Sequence, residues 1–168
     1  MLAERMAFSI KSTVPEHPAS EKVLKYALSL IINALMIIGL TLLVSMFTSK
    51  TKEVVLILTS FAVLRQLSGG LHLKSGLWCV IATTAGATTL SLITMPNSWT
   101  LMITAANVLC MIAWAPTSIE KQSRIPKKYY PLLKFLSCAI VSLNFLIQSD
   151  VIALAFLVQA VTLYLERR

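Results

Sequence analysis

Residues 26–47 carry no formally charged side chain, and at 1.5 Å of rise per residue such a run crosses the roughly 30 Å hydrocarbon core of a bilayer as one helix. Further apolar runs follow at 77–95, 99–115, 132–147 and 151–165. A shorter one, residues 54–64, is interrupted by Arg65 and Gln66. It spans only if its helix continues through Leu67 and Ser68, with the polar end at the interface or in a protein-lined cavity. The pattern therefore predicts six hydrophobic helices, at 26–47, 54–68, 77–95, 99–115, 132–147 and 151–165. Residues 1–22 differ: Leu2, Met6, Phe8 and Ile10 alternate with charges before the break Val14-Pro15-Glu16-His17-Pro18, which suits an interfacial helix and a turn. Ser20 is placed to cap the first span, Pro96-Asn97-Ser98 reads as a tight turn, and Trp99 and Trp114 sit where interfacial anchors belong.

Composition agrees with a membrane solvent. Apolar residues make up 57% of the chain and charged residues 13%, about half the usual share for a soluble domain. The fold class expected is an all-α integral membrane protein, 1–168 forming one polytopic domain. The first 22 residues lack the basic start and apolar run of a cleavable signal, so the first span is expected to serve for insertion. With six spans and a cytoplasmic N-terminus, all but Lys50 and Lys52 of the 15 lysines and arginines fall on the inner side. That puts both termini, and a break in the chain at Gly69-Gly70, on the cytoplasmic face. The net charge of +8 is thereby explained by the bilayer, and no nucleic acid is expected as a partner. The three cysteines, Cys79, Cys110 and Cys138, lie in or beside apolar runs, which does not suit a disulfide scaffold.

Candidate chemistry is concentrated in residues 65–79, where a charge, a glycine pair, a histidine and a thiol coincide. Arg65 within a membrane helix needs a cavity or interface and a partner. Gly69 and Gly70 favour ending the helix. On an unbroken helix His72 and Cys79 would share a face about 10 Å apart along the axis, too far for proton transfer, so a turn near Gly76 is required to bring them together. Cys79 would then act as nucleophile, and His72 as general base and later general acid. No Asp or Glu lies between Glu53 and Glu120, so the group orienting His72 is Gln66, Ser68, Ser75, a backbone carbonyl or Glu120. Backbone N–H groups at the start of the helix carrying Cys79 are the candidate oxyanion donors. Nothing in the chain calls for a metal or another cofactor.

The pattern Arg65-x-x-x-Gly69-Gly70-x-His72-x-x-x-x-x-x-Cys79 resembles the accessory gene regulator B family, membrane cysteine endopeptidases of quorum-sensing propeptide processing. Ala115-Pro116, followed by a basic loop ending near Ile125-Pro126, is similar to a second family feature. Family members often carry a second basic residue where this chain has Gln66, and an Asp where it has Thr117-Ser118. The resemblance implies a bacterial cell-membrane location and catalysis by His72 and Cys79, with Arg65, Gly69 and Gly70 supporting the site. It also implies an amphipathic propeptide substrate with an acidic C-terminal tail, cut through an acyl-enzyme thioester and closed to a thiolactone or lactone.

Plainer readings stand beside these. Lys121, Arg124, Lys127 and Lys128 are simplest as positive-inside anchors, with attraction of the acidic tail as the functional alternative. Cys110 and Cys138 read as packing residues, His17 as a solvated interface residue, and Asn33, Asn107, Asn144 and Gln159 as interhelical hydrogen-bonders. The competing function is a small membrane transporter or permease component, for which an inverted repeat is expected and none is visible. If the chain oligomerises, a twofold homodimer is the default.

Overall fold

The computed structural model describes residues 2–16, 18–70, 75–119 and 125–168; His17 lies outside them. Among these residues the regular elements are helices: α1 (Leu2–Thr13), α2 (Glu21–Thr48), α3 (Thr51–Ser68), α4 (Gly76–Ser91), α5 (Asn97–Trp114), α6 (Tyr130–Ser142), the single turn α7 (Asn144–Ile147) and α8 (Asp150–Arg167). Two stretches, Glu21–Thr48 and Lys127–Ile147, are long and apolar enough to cross a membrane by themselves.

Local chemistry explains the helix ends. Ser20 caps α2, its hydroxyl accepting the Val23 N–H at 3.4 Å, and α1 is tied to α2 by the Glu4–Lys25 ion pair at 2.6 Å. The helix through residues 54–68 continues past Arg65 to Ser68, where Gly69 takes φ +75 and ends it. Three expectations need correction. The 77–95 helix stops at Ser91, where the Leu92 and Ile93 N–H groups turn to the carbonyls three back, Thr89 and Leu90, both at 3.2 Å; beyond it the Met95 N–H donates to the Asp150 carboxylate at 3.2 Å. Asn97 and Ser98 are not in a turn but open α5, with Pro96 as its cap. The 132–147 run is divided at Leu143, where α6 gives way to α7.

The last helix, α8, occupies the centre. Its residues 151–156 are all buried, and Ala153, Ala155 and Ala160 leave room for close approach of its neighbours. Leu64 of α3, Met111 of α5 and Val141 of α6 meet Ile152, Phe156, Ala160 and Leu163 in one apolar core, with Cys110 and Cys138 packed against its edge. Polar residues inside the bundle pair across helices. Asn107 donates to the Ala153 carbonyl at 2.9 Å, and Thr41 meets Thr84 at 3.1 Å between α2 and α4.

Asn144 makes three bonds: to the Thr104 hydroxyl (3.0 Å), to the Ser149 carbonyl (3.1 Å) and from the Ser149 N–H (3.2 Å). At about 0.6 kcal/mol for an average membrane interhelical bond, Asn144→Ala should cost about 2 kcal/mol and Asn107→Ala less than half of that. Thermal unfolding of the two variants in detergent checks this. Equal losses would show that the α7 turn does not depend on the Asn144 bonds.

Candidate active site

Gly69 and Gly70 form a short segment bolted in place from two sides. From one side comes the stretch after α5: the Thr117 N–H donates to the Ser68 carbonyl at 2.9 Å, and the Gly70 N–H donates to the Thr117 carbonyl at 3.1 Å, a one-residue parallel bridge. The Thr117 hydroxyl is itself held by the Trp114 carbonyl. From the other side comes α8, where the fully buried Gln159 amide donates to the Ser68 hydroxyl at 2.8 Å and to the Gly69 carbonyl at 2.6 Å. Thr162 orients that amide by donating to its oxygen at 3.0 Å. Both glycines are required by this geometry. A Cβ on Gly69 would lie 2.0 Å from the Thr117 carbonyl oxygen, and one on Gly70, where φ is +117, would lie 2.9 Å from the Thr162 hydroxyl. The two separate sequence features, Gly69-Gly70 and Ala115-Pro116, are thus neighbours in space.

Ser75 is extended at φ −100 and ψ 120, and α4 begins at Gly76. Cys79 therefore stands in the first turn of α4, partly buried. Its own N–H donates to the Ser75 carbonyl at 3.1 Å and so is not an oxyanion donor; the donors that precede the intrahelical ladder are those of Gly76, Leu77 and Trp78. The start of α4 rests on α2, because a Cβ on Gly76 would meet the Asn33 carboxamide at 2.4 Å.

A cavity of about 850 Å³ opens between α2, α3, α4 and α8, and Cys79, Arg65 and Gln66 all line it. The Arg65 guanidinium lies 5.6 Å from the centre of the Phe61 ring. Glu166 accepts the Ser118 hydroxyl at 2.7 Å, and Arg167 donates to the Ala113 carbonyl at 2.7 Å, so the end of α8 is knitted to the last turn of α5 and the segment following it.

Of the sequence candidates, Arg65, Gln66 and Cys79 converge on one cavity, while Gly69, Gly70 and Ser68 form its backbone support. Ser68 is fully buried, its proton given to the Leu64 carbonyl and its oxygen accepting from Gln159, which makes it part of the support. Ser75 meets Cys79 through its backbone carbonyl. Lys127 and Lys128 lie in the short turn leading into α6, with the Lys128 ammonium 4.9 Å from the Tyr129 ring centre. His72, Glu120, Lys121 and Arg124 lie outside the described residues.

Sequence reasoning missed Glu166, Thr117 and the role of Gln159. Gln159 stood out as a polar residue within a span, but its spacing does not point to residues 65–79, and nothing in the pattern around Glu166 does.

The family model of accessory gene regulator B matches residues 3–163, which takes in the glycine pair, Cys79, Ala115-Pro116 and Gln159. The chain belongs to the accessory gene regulator B family. No curated protein and no solved structure matches it. Accessory gene regulator B proteins are membrane-associated and act in quorum sensing on the propeptide of an autoinducing peptide, and this chain has that role.

Proposed function

We propose that this chain is a membrane-embedded cysteine endopeptidase that cuts its propeptide near the C-terminus and closes the released segment into a thiolactone or lactone. The observation that carries this reading is the placement of Cys79 in the first turn of α4, on the same cavity as Arg65 and Gln66.

In the proposed reaction His72 takes the Cys79 proton and the thiolate attacks the scissile carbonyl. The C–N bond breaks, and the acidic tail leaves as an amine that has received the proton from His72. The N-terminal segment stays on Cys79 as a thioester. A thiol or hydroxyl within that segment then attacks the thioester carbonyl, closing the ring and returning Cys79 to the thiol. Arg65 stabilises the thiolate, and the free N–H groups at the start of α4 receive the developing oxyanion. Lys121, Arg124, Lys127 and Lys128 attract the acidic tail.

In this reading 1–168 is one domain, all six hydrophobic helices cross the bilayer and both termini are cytoplasmic. The hydrogen bonds support that arrangement. Residues 68–70, 117–118 and 159–166 meet at one end of the bundle, and Met95, Asn97, Gln148 and Asp150 meet at the other. Arg65, Lys127, Lys128 and Arg167 lie towards the first end, whereas Lys50 and Lys52 lie at the second, the asymmetry expected of a cytoplasmic and an outer face.

Trapping the intermediate tests the mechanism. Protein reconstituted in vesicles with the short propeptide encoded beside it, quenched in acid, should carry the N-terminal fragment on Cys79, released by hydroxylamine. Cleavage proceeding without any adduct on Cys79 would refute covalent catalysis.

A further inference from the structure

The cavity that receives Cys79 extends well beyond the reacting sulfur. Along α4 it is lined by Cys79, Ala82, Thr83, Gly86, Ala87 and Leu90, positions three or four apart that share one face. From Cys79 to Leu90 the helix rises about 16 Å, so the cavity runs from the Arg65 end along much of α4. Its space exists because the lining is small: Gly86 has no atom within 4 Å of where its Cβ would be, and Ala34 of α2 and Ala62 of α3 line the same cavity. Polar character gathers at one end, where Arg65, Gln66 and Cys79 stand, and the deeper positions are largely apolar. A volume of about 850 Å³ is within the range of sites that enclose most of a bound ligand.

We infer that this cavity is the binding site for the segment on the acyl side of the scissile bond, and that it selects apolar side chains there. The inference rests on the proposed acyl-enzyme. Whatever acylates Cys79 has its carbonyl at the sulfur, and its preceding residues have this cavity open to them. Apolar side chains gain by burial along the apolar stretch, whereas a charged residue placed there, away from Arg65 and Gln66, would lose hydration without an ionic partner. The acidic tail, on the opposite side of the bond, belongs at the basic end.

Alkylation of Cys79 by peptidyl chloromethyl ketones tests the inference, with the intact protein in lipid vesicles and mass spectrometry as readout. Iodoacetamide measures the reactivity of the sulfur alone. Acetyl-Leu-Leu-Leu chloromethyl ketone should alkylate Cys79 about tenfold faster than acetyl-Ser-Glu-Ser chloromethyl ketone or more. Gly86→Leu, which fills open space, should remove that preference and leave the iodoacetamide rate within about twofold. Ala34→Leu, which enters the cavity from α2, should do the same and serves if the first variant fails to fold.

Equal rates for the two peptides, or a preference that survives both substitutions, would overturn the pocket. So would an undecyl chloromethyl ketone reacting as fast as the apolar peptide, since the cavity would then be a site for a lipid chain. Propeptide processing that persists in Cys79→Ala would remove the enzyme reading and this inference together. Processing lost in Cys79→Ala, with no apolar preference among the probes, would remove the pocket alone.

Discussion

Cys79→Ala and His72→Ala should each lower propeptide cleavage by about 10⁴-fold or more, and the double variant should be no worse than the poorer single one. Nucleophile and base act as a unit, so once either is gone the other has little left to contribute, and losses of this kind are far from additive. The residual rate reflects positioning and oxyanion stabilisation alone. Cys79→Ala should still bind propeptide in vesicles, because it removes only a sulfur at one end of the cavity. The measurement is product formed per unit of membrane-inserted protein, over all four forms. Losses that multiply in the double variant would indicate two independent roles, and unchanged cleavage in both single variants would end the catalytic assignment.

Gly69→Ala should destabilise the protein by about 3 kcal/mol or more and abolish processing with Cys79 still present. At φ +75 and ψ −144 the backbone is in a region that glycine almost alone visits, which costs other residues about 1–3 kcal/mol. The new methyl would also lie 2.0 Å from the Thr117 carbonyl oxygen, a backbone atom that can move only by giving up the paired bonds to Ser68 and Gly70. Each is worth about 1 kcal/mol. The support beneath Arg65 is then lost. Gly39 gives the internal control: it lies inside α2 with nothing within 4 Å of its Cβ position, so Gly39→Ala should be neutral or slightly stabilising. Thermal unfolding in detergent, with processed peptide from the same preparations, separates the two. A Gly69→Ala protein that melts with the wild type would show that the bridge to Thr117 is dispensable.

Much of the site's scaffold was visible one segment at a time. That the helix through residues 54–68 must continue past Arg65 follows from the length of its apolar run, and the end at Ser68 follows from two glycines in succession. Ser20 as a cap and the interhelical use of Asn107, Asn144 and Gln159 are also local inferences from residue type. The errors were local too. Counting apolar residues carried the 77–95 helix four positions too far, because hydropathy does not register the i−3 turns at Leu92 and Ile93 that close it.

By itself the sequence determined where helices form, which of their ends are basic, and that Arg65, the glycine pair and Cys79 belong to one short stretch. Each of these depends on interactions within a turn or two of the chain or with the surrounding solvent. Tertiary packing alone makes the last helix the central one, lets Gln159 grip Ser68 and Gly69 from some 90 residues away, and brings Glu166 to the Ser118 hydroxyl. Nor does any run of residues announce a cavity whose walls come from four helices. Contacts at such separations arise from how packed faces fit together, and that fit has no periodic signature in the chain.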